Sequence, residues 1–130
     1  MKVPRNQRVL LLTAHRSGTS FWRVNNPFDL LRDRGVIDYC EMSIEQVPMR
    51  DRYWLERWDV AVFHQCWTDH SFILAQHFKS IGKKVVLSVD DLINGNKIPK
   101  FITQGAPYSE PGMAKNIQDM MDLADRVVVT

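Results

Sequence analysis

The chain is poor in the features that identify a function at sight. Among 130 residues it has two cysteines, Cys40 and Cys66. Their spacing matches no metal or redox motif and two are too few for a disulfide framework, so buried, reduced thiols are expected. An excess of one charge is missing as well: 17 Lys and Arg against 15 Asp and Glu leave +2. No basic block marks a nucleic-acid surface, and no nucleic-acid partner is expected. No apolar run approaches the ~20 residues of a membrane span, and the N-terminal one is too short for a signal peptide. These absences point to a cytoplasmic protein with no membrane span. Internal repeats and low-complexity tracts are absent too. Neither G-x-x-x-x-G-K-[ST] nor G-x-G-x-x-G occurs, which removes the two best-defined phosphate and dinucleotide fingerprints. His70 and His77 stand seven apart on a helical pattern, which is not a zinc pair, and are read as partly exposed surface. No metal and no resident cofactor is expected.

What the sequence does contain is an alternation of short apolar runs and amphipathic segments, with 45% apolar residues to build a core. Apolar strands are expected at 8–14 (RVLLLTA), 36–42 (VIDYCEM), 59–65 (DVAVFHQ), 83–91 (KKVVLSVDD) and 126–130 (RVVVT). Asn26-Pro27 supplies a helix start and Gly35 a stop; Thr68 caps a second helix that Gly82 closes. Leu74, Phe78 and Ile81 mark the buried face of that helix, and Ile117, Met120, Met121 and Ala124 that of a third. Residues 50–58 read as a short helix or turn whose Trp54 and Trp58, with Trp67, wedge it onto the sheet edge. Six glycines and prolines make 92–112 a long loop. The pattern predicts a single α/β domain over 1–130, three-layered and Rossmann-like. Its five-stranded parallel sheet is expected in the order 3-2-1-4-5. In that order the winding reverses between strands one and four, and a ligand crevice opens at their carboxyl ends.

Two polar clusters would meet there. The first is His15-Arg16-Ser17-Gly18-Thr19-Ser20, after strand one. Gly18 permits close backbone approach, hydroxyls and N–H groups suit an anion, and Arg16 and Arg23 add bidentate contacts; the alternative is a polar turn. The second is Asp90-Asp91, which either contacts ligand hydroxyls or orders the loop that follows. His64 and Gln65, ending strand three, are expected on the same rim, with His64 an outside candidate as general base or hydrogen-bond donor. No catalytic residue is assigned.

Several segments, in order, resemble the N-terminal half of a subgroup of GT-B glycosyltransferases: SFWRVNNPFDLLRDRG, KKVVLSVDDLI and MMDLADRVVVT. The resemblance carries Trp22, Arg23, Pro27, Asp90 and Asp91. It implies an acceptor-side lobe working with a nucleotide-sugar donor and a sugar acceptor. The donor-binding C-terminal domain is absent from these 130 residues, so the chain alone is expected to be inactive and free to self-associate as a homodimer. RSGTS also resembles the phosphosulfate loop of sulfotransferases, although Asn25-Asn26-Pro27 interrupts the helix that should follow. A non-catalytic binding or assembly module is the third reading.

Overall fold

In a computed structural model, which describes residues 6–13, 26–66, 68–89 and 111–129, one parallel sheet organises the chain. Its strands are β1 (Gln7–Thr13), β2 (Ile37–Ser43), β3 (Val60–His64), β4 (Lys84–Val89) and β5 (Arg126–Val129). Helix α1 (Asn26–Asp33) links β1 to β2, and the short α2 (Arg52–Leu55) lies between β2 and β3. Helices α3 (Asp69–Ser80) and α4 (Pro111–Leu123) lead into β4 and β5. The α/β class, the five parallel strands and the helical layers on both faces are as the sequence predicts.

Local chemistry accounts for the helix boundaries. The Thr68 hydroxyl accepts the Ser71 N–H at 3.1 Å and caps α3. Both α1 and α3 end in a glycine at positive φ, Gly35 at 73° and Gly82 at 80°. The hydrogen bonds Val36 N–H to Leu31 O and Gly35 N–H to Arg32 O close α1, and Lys83 to Phe78 and Gly82 to Lys79 close α3 in the same pattern. This is the Schellman arrangement, and only glycine takes its left-handed position without a Cβ penalty.

Two cores follow from the period-two alternation of buried strands. On one face Leu10, Leu12, Ala61, Phe63, Val85, Leu87 and Val89 meet Leu55 of α2, Leu74 and Phe78 of α3, and Ile117 and Met120 of α4. On the other, Val9, Leu11, Ile37 and Val62 meet Phe28 and Leu31 of α1. Trp54 and Trp58 pack edge to face, 5.7 Å between centroids, against the first core, in the wedge role expected of them; Trp67 lies outside the described residues.

The strand order is β2-β1-β3-β4-β5, not 3-2-1-4-5. β3 stands between β1 and β4, so the expected junction of strands one and four does not exist. The physical reason is visible in burial. β3 is enclosed along almost its whole length, whereas β2 is only partly covered and carries Asp38 and Glu41. Charges suit an edge strand, so β2 takes the edge and β3 the interior.

Candidate functional site

The connections leaving β1 and β3 run to opposite faces of the sheet, α1 to one and α3 to the other. The topological switch point therefore lies between these adjacent strands, where doubly wound sheets open a crevice at their carboxyl ends. The register rows are informative here. On the α1 face the rows Val9–Val60 and Leu11–Val62 are apolar. The next row runs Ser43, Thr13, His64, Ser88 and Val128 across all five strands. Apolar surface thus gives way to polar side chains at the carboxyl-terminal level, and Thr13, His64 and Ser88 are all buried. His64 Nδ1 lies 3.2 Å from Ser88 Oγ.

The exit from β3 is strained at the same point. Gln65 has φ 52°, the one non-glycine in the left-handed region among the described residues. Such a conformation costs on the order of 1–3 kcal/mol and gathers at functional sites. The Gln65 N–H is held by the Ser88 carbonyl at 2.9 Å. Next to it the buried Cys66 thiol reaches the His64 carbonyl at 3.3 Å and the Leu12 carbonyl at 3.5 Å, joining the ends of β3 and β1. Burial pushes this thiol up to about 12, so it stays neutral and unreactive. Cys40, on β2, is half-buried rather than buried. A thiol reagent is expected to label Cys40 alone in the native protein and both cysteines in denaturant; native labelling of Cys66 would contradict this packing.

Of the residues singled out in the sequence, His64 lies buried at the carboxyl end of β3. Arg16, Ser17, Gly18, Thr19 and Arg23 lie outside the described residues, as do Asp90 and Asp91. His70 and His77 are exposed, as expected. Gln65 was expected on the rim beside His64, whereas sequence reading missed Thr13 and Ser88. The available signal for these two was a hydroxyl residue near the carboxyl end of an otherwise apolar strand.

At the edge of the sheet, the Tyr39 hydroxyl donates to Asp29 of α1, and Arg32 lies 5.1 Å over the Tyr39 ring. Burial first, then the Asp29 carboxylate, raises the phenol to about 12. This arrangement docks α1 on β2 and stands apart from the crevice. Among the described residues no group of three or more His, Cys, Asp or Glu is placed to hold a metal, and no helix is long and apolar enough to cross a membrane.

No family model and no curated protein matches the chain. Among solved structures it is similar to an NADPH-quinone reductase from P. pentosaceus, at 11% identity and a TM-score of 0.42, over 95% of this chain and 84% of that one. The glycosyltransferase resemblance is corrected: no comparison brings support for a GT-B enzyme, a nucleotide-sugar donor or a sugar acceptor. The sulfotransferase and assembly-module readings gain no support either. Strand order removes the physical basis of the transferase reading, because its shared crevice required β1 and β4 to be neighbours.

Proposed function

We propose that the chain is a ligand-binding α/β domain that seats the phosphate of a small molecule in the crevice between the carboxyl ends of β1 and β3. The observation that carries this reading is the buried polar row Thr13–His64–Ser88 at the switch point. Buried polar groups are costly unless they are hydrogen-bonded, so a row of them at a crevice is a reasonable place to seat a polar ligand. The sequence after β1 supplies suitable chemistry. Arg16 offers a guanidinium fork, Ser17 and Thr19 offer hydroxyls, and Gly18 permits close approach. Arg23 adds a second cation, while Asp90 and Asp91 would read ligand hydroxyls from the β4 side. Two free thiols suit a reducing, cytoplasmic setting.

Thermal unfolding with inorganic phosphate, flavin mononucleotide and ADP tests this. At about one hundred times its dissociation constant, a bound ligand stabilises the fold by ~2.7 kcal/mol. Arg16→Ala and His64→Gln are each expected to weaken that ligand by about tenfold, the loss of one charge-assisted or buried hydrogen bond. The reading fails if no phosphate-bearing probe raises the melting temperature, or if both variants bind as the parent does.

A further inference from the structure

A second concavity lies at the opposite, amino-terminal end of the sheet. Its volume is about 310 Å³, and it is lined by Arg8, Asp38, Tyr39, Arg57 and Trp58. That is the low end of the range for small-molecule pockets, roughly 300–1,000 Å³. Arg8 and Asp38 are register partners on β1 and β2, and Arg57 and Trp58 come from the segment after α2.

Neither guanidinium nor the Asp38 carboxylate is in an ion pair among the described residues. Of the neighbouring acids, Asp51 and Glu56 are engaged elsewhere, and Asp59 is tied to the backbone of Arg8. Asp51 accepts the Trp54 N–H at 3.1 Å. Glu56 pairs with Arg52 at 2.8 Å. Asp59 accepts the backbone N–H of Arg8 at 2.8 Å. Two cationic residues and one acidic residue thus line one small cavity together with Trp58.

We propose that this cavity binds an α-amino acid with an apolar side chain, as a zwitterion. The ligand carboxylate meets the guanidiniums of Arg8 and Arg57, whose planar donors match a carboxylate. The ligand ammonium meets Asp38, and the apolar side chain lies along Trp58. A simple anion would satisfy the arginines but leave Asp38 repelling it. A ligand carrying both charges satisfies all three groups. The site is separate from the phosphate crevice, so either can fail alone.

Calorimetric titration of the full chain with phenylalanine, N-acetylphenylalanine, phenylalaninamide and acetate tests the assignment. Phenylalanine is expected to bind saturably, and removal of either ligand charge is expected to weaken binding about tenfold. Arg57→Gln should reduce the preference for the free carboxylate over the amide, and Arg8→Gln with Arg57→Gln should abolish it. Asp38→Asn should bring phenylalanine and its N-acetyl derivative within about twofold of each other. These substitutions are at exposed positions, and the four-ligand comparison needs no variant. The proposal is overturned by the absence of saturable binding of phenylalanine up to about 10 mM, by acetate binding as well as phenylalanine, or by equal binding of all three phenylalanine forms.

Discussion

Replacing Asp59 and Asp125 together with alanine is expected to lower stability by about 2–4 kcal/mol, although neither residue belongs to a strand or the core. The two aspartates do the same job on two strand pairs. Each precedes a strand by one residue, and each is tied twice to the neighbouring strand. The Asp59 N–H donates to the Arg8 carbonyl at 2.8 Å while its carboxylate accepts the Arg8 N–H at 2.8 Å. The Asp125 N–H donates to the Val85 carbonyl at 2.8 Å while its carboxylate accepts the Val85 N–H at 2.8 Å. Each carboxylate thus extends the ladder by one rung and fixes the register in which β3 meets β1, or β5 meets β4. A one-residue slip would turn every side chain to the wrong face.

Asp125 also holds Lys79 of α3 at 2.7 Å, so it joins helix to sheet. The Lys79 hydrogen bond, then the Val85 N–H, lowers its carboxyl below the usual value. The charged form is therefore favoured by folding. Its contribution is complete above the ordinary carboxylate range and is lost as pH falls below about 4. Urea unfolding across that range is expected to show a smaller acid loss in Asp125→Asn than in the parent. An unchanged acid slope, or a double variant as stable as the parent, would contradict the clamp.

Phe78→Ala is expected to cost more than either clamp alone, about 3–5 kcal/mol. Phe78 is fully buried in the core that α2, α3 and α4 share with the sheet. Its carbonyl also accepts the Lys83 N–H that closes α3, so its backbone cannot readily shift to fill a void. Small domains have about 5–15 kcal/mol in total, so this one truncation removes a large fraction. Phe78→Leu, which keeps more of the volume, is expected to cost less. Midpoints of urea unfolding at constant slope measure both. A Phe78→Ala loss below about 1.5 kcal/mol would mean that the site collapses freely and the packing of α3 is looser than described.

These residues also show where sequence reading went astray. The run MMDLADRVVVT suggested a family, yet Asp125 within it is explained by the register of β5 and by its hold on Lys79. The Trp58-Asp59-Val60 stretch carries the same device without any family resemblance. The strand order left only a partial trace in the sequence: IDYCEMS contains two carboxylates, which suit an edge, and VAVFH contains none, but RVVV contains none either and is an edge strand.

The sequence by itself determined the α/β class, the five strands, the caps at Thr68, Gly35 and Gly82, and the buried faces of α3 and α4, whereas Leu30, expected on the buried side of α1, is exposed. Each of these depends on residues within a few positions of one another, through period, capping and backbone freedom. Only the tertiary structure decided that β3 separates β1 from β4 and that Thr13, His64 and Ser88 form one row. Strands apolar on both faces pair equally well with any neighbour. The choice among partners is made by which strand keeps its charges in water and by which aspartate reaches which N–H.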